Sequence, residues 1–363
     1  MGILSWLKKL SGDSENQKNT TDLSSSTKSD GTHFDINPVY RKKLSNDLFP
    51  GEVLLLNWIN GNSIPESFPN YFAYHYGIDA SSSLDRLISG GFLRYATATE
   101  TITKLKNDEL KEILKSHDLK VSGKKADLID RIQEYLSSNE IEEEVNKYSS
   151  KLFLTDKGQE VFEEFYYIVP AHRFGSKDGS YNVANAIKFI KNSKAGVTNY
   201  DIALDLLKKE EKSNLKSENF GLYRNNKLYL YDLHKREAMN DYSFMYILQV
   251  FIMDMSGLDN AQYIDKPESI MFAPGIRNNI IKEIERNQMN ESQVHTKFSE
   301  AWNHLIPDLP FHYLTEEECL SALWLFIDEE EEKARQLITN SYKNLNKNEI
   351  TKKTNLYFLD DLI

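Results

Sequence analysis

Between Leu105 and Ile132 the chain reads Leu-Lys-Asn-Asp-Glu-Leu-Lys-Glu-Ile-Leu-Lys-Ser-His-Asp-Leu-Lys-Val-Ser-Gly-Lys-Lys-Ala-Asp-Leu-Ile-Asp-Arg-Ile. Leu110, Ile113 and Leu114 fall three and four residues apart and line one face of a helix; Leu128, Ile129, Ile132 and Leu136 line a second. The segment from Asp118 to Gly123 is too short and polar to belong to either, so the stretch is a helix, an extended loop and a helix. Ser122 is expected to cap the second helix. The first N–H groups, including those of Gly123 and Lys124, then face outward with the positive end of the helix dipole, a place for a phosphate oxygen. Lys120, Lys124 and Lys125 surround that point. Gly123 has no Cβ to hold off a sugar-phosphate backbone, and Arg131, two turns on, either reaches an adjacent phosphate or stays on the module's own surface.

The same residues carry a family resemblance. Glu109-Leu110-Lys111, Leu114, Leu119, Ser122-Gly123, Lys125, Leu128-Ile129 and Arg131-Ile132 fall in register with the pattern of the SAP domain, a small DNA-binding module. The likeness covers about Leu105 to Leu136. It implies double-stranded DNA as a partner and Lys120, Ser122, Gly123, Lys124, Lys125 and Arg131 as the contacting residues. The family usually has Gly where this chain has Asp118, a residue that tolerates a left-handed backbone better than most. No Arg, Asn or Gln in the loop has an evident route to base edges, so recognition of shape or phosphate is expected. A phosphate-binding Walker loop around Gly123-Lys124 would need Gly five residues earlier and Ser or Thr after the lysine, where Asp118 and Lys125 stand.

Around this stretch the chain predicts three short helices. One lies over Gly51–Ile59, one over Pro69–His75, and one is capped by Asp79 with Leu84, Leu87 and Ile88 inward. A strand at Phe92–Tyr95 follows, then the excursion, a second strand at Lys151–Leu154, and a helix capped by Thr155. The order resembles a winged helix, and "LTDKG" at 154–158 resembles the ending common in its bacterial members. The excursion takes the place of the wing. Arg86 is the one basic side chain of the third helix, a poor endowment for reading a major groove, which leaves this region as a scaffold for the insertion.

The 363 residues carry 44 Lys and Arg against 55 Asp and Glu, a net charge of −11. The chain as a whole is repelled by nucleic acid, and any DNA contact has to be local. From Lys104 to Arg131 the count is eight basic residues against six acidic, a local +2. Such a patch acts nearly alone because charges more than about 8 Å apart are screened at physiological salt. The lone cysteine, Cys319, excludes a disulfide scaffold and suits a reducing cytoplasm. The longest apolar stretch, Met245–Met253, is too short for the roughly 20 residues of a membrane span. The start lacks a signal-peptide order, and Trp6 stands where myristoylation wants Ser or Thr.

The domain organisation that follows is an amphipathic helix over 1–12, a polar disordered linker over 13–36, a winged-helix-like domain over 37–168 with the SAP insertion at 103–138, and a helical domain over 169–363. Helical periodicity recurs over Tyr181–Ile190, Tyr200–Leu207, His234–Met255, Ala273–Arg286, Glu291–His304 and Thr315–Tyr342; Leu228–Tyr231 hints at a strand, though its neighbourhood over Gly221–Tyr231 could equally join helices. The half resembles helical-repeat scaffolds in architecture only, without a 34-residue repeat. The whole resembles SAP proteins of bacteria and phages, from which no activity follows. The fold class expected is mainly α. No catalytic constellation, metal-ligand spacing or cofactor motif emerges from the eight histidines and the dispersed carboxylates. A cytoplasmic, non-enzymatic DNA-binding protein is expected, its helical half engaging a protein partner. The alternatives are a scaffold that binds no DNA and, behind it, a nuclease-type enzyme.

Overall fold

Pro50 opens the first helix, where a missing N–H is harmless, and the Phe49 N–H donates to Glu52 Oε2 at 2.8 Å to close the turn. This helix, α1 (Pro50–Ile59), is followed by a single turn, α2 (Tyr71–Tyr74), and by α3 (Ala80–Ser89), capped by the Asp79 carboxylate on the Ser82 N–H at 2.7 Å. The computed structural model describes residues 35–148, 151–177, 179–259 and 263–359. The expected N-terminal helix and nearly all of the linker lie outside them.

After α3 comes β1 (Leu93–Tyr95), paired antiparallel with β2 (Leu152–Leu154) in the register Leu93 to Leu154, Arg94 to Phe153 and Tyr95 to Leu152. Thr155 caps α8 (Asp156–Glu164), accepting from the Gly158 N–H at 3.2 Å. Gly158 is required there. A Cβ would sit 2.2 Å from the Phe92 carbonyl oxygen, so the glycine lets the helix start against β1. The third helix is worse equipped to read a groove than its sequence suggests: Arg86 is tied back to the buried Glu52 at 2.5 Å and to Ser83 Oγ at 2.9 Å.

Eighteen α-helices and very little strand make the protein mainly α among the described residues. A continuous buried cluster runs from Tyr40 to Phe358. Tyr167, Ile168 and Ala171 belong to it together with Leu55 and Ile187. From there the chain continues as α9 (Ile168–Phe174), α10 (Val183–Lys191), α11 (Asn199–Lys216), α12 (Phe220–Arg236) and α13 (Asn240–Asp254), then α14 (Pro274–Arg286), α15 (Glu291–Leu305), α16 (Glu316–Ile327), α17 (Glu331–Lys343) and α18 (Lys347–Thr354). A two-residue parallel pair joins β3 (Tyr263–Ile264) to β4 (Tyr357–Phe358).

Three expectations are corrected in this half. Leu228–Tyr231 is helical, because Tyr223, Asn226, Lys227, Leu230, Tyr231 and His234 form one buried face at helical spacing. The helix expected from His234 to Met255 is two, broken where Ala238 turns left-handed at φ 54°. The long helix expected over Thr315–Tyr342 is likewise two. Glu329 takes φ 62°, and the Glu330 N–H closes on the Leu325 carbonyl at 2.8 Å in a Schellman end. The apolar Met245–Met253 lies in α13, largely buried, and no helix among the described residues is long and apolar enough to cross a membrane.

Candidate nucleic-acid interface

Between β1 and β2 stand four helices: α4 (Ala98–Lys104), α5 (Asn107–Ser116), α6 (Lys125–Tyr135) and α7 (Ser138–Val145). They have a core of their own, separate from the large one. Ile102, Leu105, Leu110, Ile113, Leu114, Leu128, Ile132, Leu136, Ile141 and Val145 are its buried members. The helical stripes legible in the sequence supply its centre, while Ile102, Ile141 and Val145 come from flanking helices that the sequence reading passed over. Glu144 on α7 meets His117 Nε2 at 3.2 Å and Lys147 Nζ at 2.7 Å, which fastens α7 to the end of α5. Burial pushes that carboxyl up, but the Lys147 and His117 hydrogen bonds and charges prevail and hold it below its ordinary range.

Helix α5 ends in a complete Schellman motif. The Asp118 N–H donates to the Lys115 carbonyl at 3.2 Å and the Leu119 N–H to the Leu114 carbonyl at 2.8 Å, with Asp118 left-handed at φ 55° and Leu119 packed on the module's core. Asp118 therefore takes up the backbone role expected of it. The chain then runs without regular secondary structure to Lys124, bending at Gly123. Arg131 Nη1, reaching back from α6, donates to the carbonyl oxygens of Lys120 at 2.6 Å and Ser122 at 3.2 Å.

The start of α6 differs from expectation. Lys124, not Ser122, occupies the cap position, and its N–H donates to Asp127 Oδ2 at 2.8 Å. One donor expected to face a phosphate is thus satisfied internally. The N–H groups of Lys125, Ala126 and Asp127 still open the helix with no carbonyl of its own to meet. Gly123 has an internal reason to be glycine: φ is 140°, and a Cβ would lie 3.0 Å from the Asp127 side chain. The sequence pointed to an approaching ligand there and missed the aspartate.

The SAP domain family matches residues 101–137. The module is a SAP domain. A comparison with curated proteins finds no match for the chain. The match begins inside α4 and ends one residue past Leu136, so α7 is an addition that the SAP domain carries against its own core. Of the six residues singled out, Lys120, Ser122, Gly123 and Lys124 are exposed, whereas Lys125 and Arg131 are half-buried. All six gather around one loop and one helix start. Val121, an apolar residue 40% exposed at the middle of that loop, is an addition that its valine character gave no reason to expect. Among the described residues no cluster of three or more His, Cys, Asp or Glu is arranged to hold a metal ion.

The joint between the SAP domain and β1 is electrostatic. Arg94 makes a two-pronged pair with Glu100, Nη1 to Oε2 at 2.7 Å and Nη2 to Oε1 at 2.8 Å, and Glu100 also accepts from the Thr97 N–H at 2.9 Å. The Arg94 hydrogen bonds, with those of Thr97, hold the Glu100 carboxyl at about 2. Sequence reading missed this pair because the partners lie on different elements, six residues apart.

Proposed function

We propose that this protein binds double-stranded DNA through its SAP domain, gripping phosphates with the loop from Lys120 to Lys124 and the start of α6. The observation that carries the reading is the gathering of exposed Lys120 and Lys124, half-buried Lys125 and the open N–H groups of α6 on one edge of a separately cored SAP domain. Phosphate contacts alone give a sequence-indifferent, salt-sensitive grip. The three helices and the β1–β2 pair act as a winged-helix-like mount, with the SAP domain standing in place of the wing. The helical half takes a protein partner, for which Met239 and Tyr242, exposed around the turn from α12 to α13, offer an apolar surface. The role is non-enzymatic, and a cytoplasmic setting fits the single reduced thiol, Cys319.

The test is a duplex gel shift across a salt series, run beside the variant with Lys120, Lys124 and Lys125 all changed to Glu. With about three phosphates neutralised, log K against log salt should slope by roughly −2 to −3. The variant should lose the shift while keeping its circular dichroism. A shift unchanged in the variant would overturn the reading. No shift at all, with a protein co-purifying, would favour a scaffold, and probe degradation dependent on a divalent metal would favour a nuclease.

A further inference from the structure

Among the described residues, no backbone-to-backbone hydrogen bond holds the loop between the Leu119 N–H, spent on Leu114, and the Lys124 carbonyl, which receives the Leu128 N–H. Side-chain hydrogen bonds hold it instead. Arg131 supplies two of them: a single guanidinium nitrogen bonds the carbonyls of Lys120 and Ser122, two residues apart, and so spans Val121. Val121, between the two tied carbonyls, is 40% exposed. The base of the tie is firm, since Leu128 and Ile132 on the same helix are fully buried.

We propose that Arg131 is a positioning residue of the SAP domain rather than a phosphate ligand, fixing the loop so that Lys120 and Lys124 meet the duplex at a set spacing. The inference rests on the DNA-binding reading for its consequence, though not for its geometry. Arg131 is half-buried while both of those lysines are exposed. Both bonds come from one NH2 group held in the rigid guanidinium plane, whereas the ammonium of a lysine is a compact point charge on a flexible stem. A phosphate ligand and a loop clamp therefore predict different behaviour on substitution.

The experiment measures the salt dependence of duplex binding for the full chain with Arg131→Met, Arg131→Lys and, as the comparison, Lys124→Met. Lys124→Met should flatten the slope by about 0.9, the signature of one lost phosphate contact. Both Arg131 variants should lose about tenfold in affinity at fixed salt with the slope unchanged, because two hydrogen bonds to a charged donor go while the phosphate count stays. In the 15N-labelled chain, the heteronuclear NOE of residues 120–123 should fall in Arg131→Met and stay unchanged in Lys124→Met. If Arg131→Met flattens the slope by about 0.9 and Arg131→Lys restores both slope and affinity, Arg131 is a phosphate ligand and the proposal fails. An unchanged loop NOE in Arg131→Met also defeats it. Should wild type bind no DNA, the functional reading fails alone and the NOE still decides whether Arg131 holds the loop; should Arg131→Met not fold, Arg131→Lys carries both readouts.

Discussion

The SAP domain and the helical half bury their interiors in opposite ways. At the centre of the SAP domain Leu110, Leu114, Leu128 and Ile132 are fully buried, while its buried polar groups, Thr101 and the Glu144 carboxylate beside His117 and Lys147, come from the flanking helices α4 and α7. The helical half carries charge inside. Lys227 is 4% exposed and meets Glu211 Oε1 at 2.5 Å, Lys208 takes the other oxygen of Glu211 at 2.8 Å, and the Tyr223 hydroxyl donates to Asp308 Oδ2 at 2.6 Å. Burial drags the Lys227 ammonium below its ordinary range, and the charge of Glu211 offsets this only in part. The small module spends the buried positions of α5 and α6 on apolar contact and leaves its buried polar groups to the flanking helices. A large bundle tolerates buried ions because each has a partner, and what it cannot tolerate is the loss of one partner.

The largest expected effect is therefore Glu211→Ala, which strands Lys227 in the bundle and should cost about 3–5 kcal/mol in chemical denaturation. A cost under about 1 kcal/mol would mean that water reaches Lys227 and that the contrast with the SAP domain is false. Next comes Leu128→Ala. Fully buried in the smaller core, it should lower stability by about 3 kcal/mol, and the loss should be local. Hydrogen exchange should show faster opening of α5 and α6 with α12 and α13 unmoved, and equal acceleration of both sets would show the two cores to be one folding unit. Gly123→Val is smaller, about 1–3 kcal/mol on the SAP domain, since valine would have to adopt φ 140° beside Asp127. Differential scanning fluorimetry and the gel shift should move together in that variant, because the strain falls on the edge proposed to bind DNA.

The smallest effect belongs to the joint. Arg94→Ala removes a surface pair and should cost less than about 1 kcal/mol at neutral pH, screened further by salt. Folding lowers the Glu100 carboxyl from its ordinary 4.5 to about 2, so its contribution is complete above about pH 4.5 and fades as the pH falls toward 2. Carboxyl NMR titration of Glu100 should show that low value in wild type and a rise toward the ordinary one in Arg94→Ala. An unmoved titration would mean that Thr97, not Arg94, governs the joint.

How much of this was legible in the sequence depended on whether the deciding contact was local. The stripes of Leu110 and Leu128, the Asp79 and Thr155 caps, and the left-handed Asp118 are all written within four residues of themselves, and they were read. The cap at Lys124 went to the wrong residue because Ser122 is the better capping type, while the competing carboxylate of Asp127 lay a turn inside the helix. Ile141 and Val145 were missed because "SNEIEEEV" looks like a solvated run unless the module beneath it is known. Arg131 was seen, with its bonding left open, since nothing in a linear pattern says that a side chain on α6 turns back eleven residues to a carbonyl. Glu329 and Ala238, left-handed without being glycine or asparagine, gave no warning that two helices would break there.

The pairing of Tyr95 with Leu152 has a consequence for how such a chain can change over generations. Residues facing one another across antiparallel strands lie only about 5 Å apart, so the two ends of everything between them are held together by the host, whatever the guest may be. A segment grafted at that point closes a loop whose ends are already joined, and the entropic cost of lengthening it grows only with the logarithm of its size. The hairpin is thus a socket, in which a SAP domain with its own core can be gained, exchanged or shed as a single cassette while the large core goes on folding as before.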